Sequence, residues 1–396
     1  MRIAIDYNAA LRQIAGIGRY TRELVQALAD LRSGDELILF YAARDVPRDA
    51  PGYRSLQALR ATYPAIRPVE LPISERWLTI LWQRARLPLP VEHWTGPVDV
   101  LHAPDFVLPP ARTRRTILTV HDLTFRIHPE TAHARLRRYL EDAVPRSLRR
   151  AAHVLADSRS TADDLGRLMG VPPEKISVLY PGVGRQFRRV EDQERLATVK
   201  ERYGLPDEFI LHLGTIEPRK NLRRLMAAFV KVRAASGRSI GLVLAGKPGW
   251  MSEEILAQAR STEGVILTGP VDEEDMPALY SLARGLAYPT LYEGFGFPPL
   301  EALACGTPVV ASNTSSLPEI LGEVAQQVDP VDTGAIAYAL RRMLDEPEIA
   351  RQAQRDGPTQ AGRFTWSRAA RQLLDLYEKL HTQDARRGAT VRSGGG

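Results

Sequence analysis

Short apolar runs alternate along the chain with longer segments of helical period, and this pattern predicts parallel βαβ units rather than a sandwich or a bundle. The first set of strand candidates is RIAID, ELILFY, DVLHA, TILTV, HVLADS and ISVLY, ending near Tyr180. A second set follows as FILHLG, GLVLAG, VILTG, GLAYPT and PVVAS. Two such sets predict two similar α/β units. Between them PGVGRQFRRVEDQERLATVKERYGLPDE is polar and charged, with Pro and Gly at its start, so the boundary is placed near Gly184. The expected domains are residues 1–184 and 185–365. In FTWSRAARQLLDLYEKL, the apolar positions Ala369, Leu373, Leu374, Tyr377 and Leu380 recur at helical spacing, which predicts a helix over about 366–382 that needs a surface to cover. Residues 383–396 carry almost no apolar content and are expected to be a disordered tail.

Length and composition agree with this outline. At roughly 150 residues per domain, 396 residues suggest two domains. Hydrophobic residues make up 44% and charged residues 25%, an ordinary globular balance. The 53 Lys+Arg against 47 Asp+Glu leave +6, which fits a solvated arginine-rich surface or a face for anionic lipid or phosphate-bearing substrates. The single cysteine, Cys305, excludes an internal disulfide and a multi-cysteine metal site, and a reducing compartment is expected. With no apolar run near the roughly 20 residues that span a bilayer, and no secretory h-region, the protein is expected to be cytoplasmic and non-integral.

Open parallel sheets bind ligands beyond the carboxyl ends of their strands, so residues just after strands are where chemistry is sought. In GTIEPRKNLRRLMAAFVKV a strand ends in Gly214 and a helix begins around Asn221, with Arg219, Lys220, Arg223 and Arg224 crowding its first turn. Cations there face the positive end of the helix dipole, a cost of about 0.3–1 kcal/mol each that an anion would offset. An Arg-Lys pair beside a helix N-terminus makes a diphosphate clamp; long-stemmed solvated surface residues are the alternative, which fits Arg223 and Arg224 better.

A second stretch, LYEGFGFPPLEALACGTPVVAS, sets Glu293 and Glu301 around a Gly/Phe/Pro loop. Pro298 and Pro299 favour a helix start, Gly306 can supply its left-handed cap, and Gly294 and Gly296 let backbone approach a ligand. An ionised carboxylate accepts through two oxygens, which suits a vicinal diol of a ribose or a hexose. Dipole complementation by Glu301 and a plain loop charge at Glu293 are the alternatives.

These two stretches, in order with GIGRYTREL, DVLHAPDFVLP, TVHDL, ADSRST, YPGV, LAGKPGW, TGPVDEEDMPALY and SSLPEILG, resemble the retaining GT-B glycosyltransferases of family 4 over nearly the whole chain. The family includes many bacterial mannosyl- and rhamnosyltransferases of polysaccharide assembly. The resemblance implies an α/β protein of two Rossmann-like domains facing across a cleft, with the C-terminal helix crossing back to the N-domain. It also implies transfer from a nucleotide-sugar donor, GDP-mannose first, to a glycan or lipid-linked acceptor, with retention and with no cofactor or essential metal.

By resemblance, Glu293 contacts donor-sugar hydroxyls and Glu301 the nucleotide ribose. Arg219 and Lys220 hold the diphosphate together with the backbone of Gly294, Phe295, Gly296 and Phe297. His121, in TVHDL, lies near the transferred sugar; a hydrogen-bonded structural histidine is its alternative. Gly16 lets backbone approach the phosphates, and Gly269, Pro270, Val271 and Lys247 lie toward the nucleobase. Many members carry Gly-Arg where this chain has Gly214-Thr215, and Arg219 next to Lys220 is expected to substitute.

The sequence has no Asp-x-Asp beside a strand end and no histidine cluster of ligand spacing, and the pair Asp163-Asp164 reads as first-turn helix charges. The segment ERWLTILWQRARLPLP places Trp77, Leu78, Leu81 and Trp82 beside Arg76, Arg84 and Arg86, which fits core packing or peripheral contact with anionic membrane. Two other functions share these features: a sugar-nucleotide 2-epimerase on the same architecture, and a non-enzymatic binder of anionic ligands or nucleic acid. The arginines are not interleaved with aromatics in a reader motif, so no nucleic-acid partner is expected.

Overall fold

The computed structural model describes residues 1–13, 16–31 and 34–393. The chain divides into two compact units, one of Met1–Leu123, Arg138–Gly182 and Trp366–Gly396, the other of Thr124–Arg137 and Val183–Thr365. The short segment Thr124–Arg137, expected in the N-terminal domain, therefore belongs to the second unit.

In the first unit the strands are β1 (Arg2–Asp6), β2 (Glu36–Ala42), β3 (Ile66–Leu71), β4 (Val100–Ala103), β5 (Thr116–Val120), β6 (His153–Ala156) and β7 (Ile176–Val178). They form one sheet in the order β3-β2-β1-β4-β5-β6-β7, and every pairing is parallel. Every residue of β4, β5 and β6 is buried, as expected where helices cover both faces of a parallel sheet.

The second unit holds β8 (Phe209–Leu213), β9 (Gly241–Ala245), β10 (Val265–Gly269), β11 (Gly285–Tyr288), β12 (Val309–Ser312) and β13 (Gln326–Val328). Their order is β10-β9-β8-β11-β12-β13, again parallel throughout. Strand order reverses between β8 and β11, the kind of switch point at which open α/β sheets bind ligands. Over one face the helix Leu222–Ser236 buries Leu222, Leu225, Met226 and Phe229 completely against Leu242, Leu244 and Leu340. Full burial of each such side chain stabilises by about 1.5–3 kcal/mol.

Two strands, β3 and β13, are not foreshadowed by an apolar run. Both lie at sheet edges, where IRPVEL can carry Pro68 and Glu70 and QQV can stay short and polar without breaking a central ladder.

The C-terminal helix runs Trp366–Ser393, beyond the end expected near residue 382. Residues 383–393 are helical rather than disordered, since no proline follows Trp366 and Gln383, Ala385, Arg386 and Arg387 are tolerated in helices; residues 394–396 lie outside the described residues. Within the first unit this helix buries Ala369, Leu373 and Tyr377. Tyr377 Oη lies 2.8 Å from His102 Nδ1, and His102 Nε2 lies 2.9 Å from Thr119 Oγ1, so the helix is tied to β4 and β5 by a buried polar chain.

Candidate active site

At the switch point of the second unit, β8 ends at Leu213 and the backbone turns at Gly214 (φ +153°), an angle that favours glycine. A 3₁₀ turn, Pro218–Lys220, then leads into the helix Leu222–Ser236 through Asn221. Asn221 is left-handed (φ +57°), a conformation asparagine tolerates, and its Nδ2 donates to the carbonyls of Pro289 at 2.8 Å and Pro330 at 2.7 Å. That anchoring presents Arg219 and Lys220 to the loop after β11.

Lys220 is 6% exposed, and its ammonium donates to Glu293 Oε1 at 2.7 Å and to Tyr288 Oη at 2.7 Å, also lying 4.9 Å over the Tyr288 ring. Arg219 Nη1 meets Glu293 Oε2 at 2.9 Å and the Tyr292 carbonyl at 2.8 Å. The other edge of its guanidinium donates to Glu217 Oε1 at 2.8 and 3.1 Å. Glu217 is itself buried, so two buried carboxylates are held by the buried Lys220 and the half-buried Arg219. Burial alone would raise the Glu293 pKa, but Arg219 and Lys220 outweigh it and hold the carboxyl at about 2. Burial, helped by Arg219, lowers the Lys220 pKa from its ordinary value, against the pull of Glu293 and Glu217.

Beneath Lys220 sits His212, fully buried and stacked on Tyr288 with ring centroids 5.4 Å apart. Its Nδ1 lies 3.0 Å from the Ala287 carbonyl. A carbonyl only accepts, so Nδ1 carries the proton and, in the neutral ring, Nε2 presents a lone pair. Burial lowers the His212 pKa to about 4, so the ring is neutral at physiological pH.

The loop carrying Glu293 is clamped from behind. Ser316 Oγ bridges the carbonyls of Glu293 and Phe295, each at 3.0 Å, and Glu293 N donates to Ser315 Oγ at 3.0 Å. Gly296 caps the helix Phe297–Ala304 with φ +97°, where any other residue would be strained and its Cβ would press on Leu317 Cδ2 at 2.5 Å. Phe295 and Phe297 meet edge to face at 5.1 Å. Glu301, on that helix, is 1% exposed and accepts from Tyr280 Oη at 2.9 Å. Lys247 and Val271 follow β9 and β10, further along the same carboxyl edge, with Lys247 exposed and Val271 half-buried. Arg223 pairs with Glu254 on the surface at 3.1 Å, and Arg224 donates to Asn221 Oδ1 at 3.0 Å.

In the first unit His121 follows β5, with Nδ1 2.7 Å from Asp157 Oδ2 and Nε2 2.8 Å from the Pro104 carbonyl. Both ring nitrogens are thus engaged internally, and Tyr20 packs edge-on at 4.8 Å. Burial works against the charged ring, yet Asp157, with Asp105 and the Pro104 carbonyl, overcomes it and raises the His121 pKa to about 9. Gly16 caps the helix Ile17–Asp30 at φ +61° with no atom within 4 Å of a notional Cβ.

Gly214, Arg219, Lys220, Glu293 and the Gly294–Phe297 loop therefore converge, with Glu301 on the adjoining helix. Sequence reasoning overlooked Glu217, His212, Tyr288 and Asp157. The signal for His212 was present, as it is the lone polar residue in the apolar strand FILHL.

Residues 14–187 match the family described as Glycosyltransferase Family 4, and residues 197–360 match Glycosyl transferases group 1. The O-antigen chain mannosyltransferase B of Escherichia coli is 32% identical over 387 residues, covering 96% of this chain and 100% of that one. A serotype-specific mannosyltransferase, WbdA, of Escherichia coli is 32% identical over 281 residues, covering 67% of this chain but only 34% of that longer protein. Among solved structures, sucrose-phosphate synthase from Thermosynechococcus elongatus superposes with a TM-score of 0.75 at 21% identity, covering 97% of this chain and 100% of that one. These likenesses favour a transferase over the epimerase reading. Among the described residues no helix is long and apolar enough to cross a membrane. Two parallel-sheet units of this kind, matched along nearly their whole length, place the chain among the GT-B glycosyltransferases of family 4.

Proposed function

We propose that this glycosyltransferase moves a hexose, mannose first, from a nucleotide-diphosphate sugar to a glycan or lipid-linked acceptor in cell-surface polysaccharide assembly, with retention of configuration. The observation that carries the reading is the buried Glu293 carboxylate gripped by Lys220 and Arg219 at the β8–β11 switch point. Mannose and polysaccharide are favoured because the end-to-end relative is an O-antigen mannosyltransferase.

Each named residue then has a task. Glu293, ionised down to about pH 2, accepts from donor-sugar hydroxyls through lone pairs its two cations leave over. Glu301, presented on the helix Phe297–Ala304, accepts from ribose hydroxyls, while the backbone N–H groups of Gly294–Phe297 face the diphosphate and Lys220 acts on it through its charge rather than a hydrogen bond. As the sugar C1–O bond breaks, its electron pair passes to the departing phosphate oxygen, where Lys220 stabilises the growing charge. The acceptor hydroxyl oxygen bonds to C1 from the same face, and its proton passes to that phosphate oxygen. Arg219, forked between Glu217 and Glu293, holds the Glu293 carboxylate in place.

A thermal-shift panel of GDP, UDP, dTDP and ADP with their sugar conjugates tests the donor site, since a ligand bound only by the folded state raises the melting temperature. Stabilisation by GDP and GDP-mannose, lost in Lys220→Ala and Glu301→Ala, is expected. No response to any nucleotide would overturn the reading, and an inverted product anomer by NMR would overturn retention.

Peripheral membrane contact belongs to the same proposal. In the first unit Leu78 and Trp82 are core residues, whereas Trp77 is 58% exposed beside exposed Arg76 and Arg84. Co-sedimentation with anionic vesicles at low salt is expected for wild type and reduced in Trp77→Ala; no co-sedimentation by wild type would remove this contact.

A further inference from the structure

The missing side chain of Gly214 leaves room for about one methyl group beside two polar atoms. An atom at its notional Cβ position would lie 3.8 Å from His212 Nε2 and 3.9 Å from Lys220 Nζ, and the nearest other heavy atom is Lys220 Cε at 3.7 Å. Gly214 itself is half-buried, whereas the His212 ring is fully buried. His212 Nε2 is buried and has no hydrogen-bond partner among the described residues, an unfavourable state that a ligand donor would relieve. Lys220 spends two of its three N–H donors on Tyr288 and Glu293. The slot therefore offers one donor, the Lys220 ammonium, and one acceptor, the His212 lone pair. An oxygen entering between them must both accept and donate. A hydroxyl does so; an ionised phosphate oxygen, an acceptor only, would meet the Nε2 lone pair unfavourably.

We propose that His212 is a specificity-determining residue of the donor site, its Nε2 accepting a hydrogen bond from one hydroxyl of the transferred sugar that also accepts from Lys220. The inference rests on the donor-site reading above and assigns the hydroxyl, not the diphosphate, to this slot. The charged and titratable groups around it are Lys220 and Arg219 on the Pro218–Lys220 turn, Glu217 before that turn, Tyr288 on β11 and Glu293 on the loop after it. Their charges balance, so the neutral imidazole is the acceptor left for a sugar.

The test compares wild type, His212→Asn and His212→Gln by calorimetric affinity for the nucleoside diphosphate, its sugar conjugate, and a series of mono-deoxy sugar conjugates. Asparagine keeps a donor for the Ala287 carbonyl and removes Nε2; glutamine can return an acceptor near it. Wild type should prefer the parent sugar to one deoxy analogue by roughly 10- to 100-fold. His212→Asn should lose that one discrimination, bind the bare diphosphate as wild type does, and leave the other deoxy penalties intact; His212→Gln should restore part of it. An equal loss for bare diphosphate and conjugate would assign Nε2 to the phosphates and overturn the proposal. Unchanged discrimination across the series in His212→Asn would reduce His212 to a packing residue. If His212→Asn melts too low to assay, the wild-type series still decides: a wild type for which no single deoxy conjugate loses about 10-fold in affinity would overturn the proposal. Wild type that binds neither diphosphate nor conjugate would instead refute the donor-site reading itself.

Discussion

Replacing Glu293 by glutamine keeps the shape of the side chain and removes only its charge, leaving Lys220 and Arg219 with Glu217 as their remaining counter-ion. Two independent estimates give the cost. Removing one member of a buried pair typically destabilises by about 3–5 kcal/mol. The fall of the Glu293 pKa from 4.5 to about 2, at about 1.4 kcal/mol per unit, corresponds to roughly 3 kcal/mol. For a unit of 150–250 residues, about 2–4 °C per kcal/mol, the second unit should melt roughly 6–12 °C lower by scanning calorimetry at pH 7. The pH dependence carries the sharper signature. Glu293 has a depressed folded pKa, so its contribution is complete above pH 4.5 and is lost as pH falls toward 2; Glu293→Gln should lack that acid limb. At the alkaline end, Lys220 already has a lowered pKa, and losing Glu293 lowers it further. The folded variant then binds fewer protons than its unfolded chain, so part of the lost stability should return as pH rises from 7 toward 10, read as variant minus wild type. A variant melting within about 2 °C of wild type, with its acid limb intact, would refute the reasoning, because the network would then be a surface arrangement of little energetic weight.

Glu301→Ala should weaken nucleotide affinity by about 10- to 100-fold in titration calorimetry, with Tyr280→Phe, which removes only the phenolic donor to Glu301 Oε2, costing less. In the first unit the folded pKa of His121 is raised from 6.5 to about 9, so its contribution is full below pH 6.5 and disappears as pH rises through 9. The melting temperature of that unit should decline over this window, and Asp157→Asn should flatten the decline; a flat wild-type profile would count against the His121–Asp157 pair. Tyr377→Phe strips His102 Nδ1 of its partner at 0% exposure and should destabilise the first unit by about 1–3 kcal/mol in urea unfolding, with no change in nucleotide affinity.

Why some parts of this molecule could be read from its sequence and others not follows from where each residue sits. Interior strands such as TILTV and GLVLA are buried on both faces, so their apolar runs announce them; β3 and β13, at sheet edges, are under no such constraint and carry Pro68, Glu70, Gln326 and Gln327 instead. The same distinction separates the residues of the site. Arg219, Lys220 and Glu293 stand in turns and loops just after strands, where charge is conspicuous, and Glu301, inside the helix Phe297–Ala304, is recognisable by its spacing from Glu293. Glu217, Tyr288 and His212 make their contacts inward. Their partners lie 68 to 75 residues away for Tyr288 with Lys220 and for His212 with Ala287, a separation that no local window spans. Glu217 differs, since its partner Arg219 is two residues on; what is hidden there is that Glu217 is buried and that the half-buried Arg219 leads on to Glu293. His121 shows the limit from the other side: its position after β5 is legible, yet only the fold shows Asp157 and the Pro104 carbonyl occupying both ring nitrogens. A histidine so engaged can meet a ligand only by exchanging a partner, whereas His212 holds a lone pair that no donor among the described residues satisfies. Of the two, His212 is therefore the one whose removal should change which sugar is chosen.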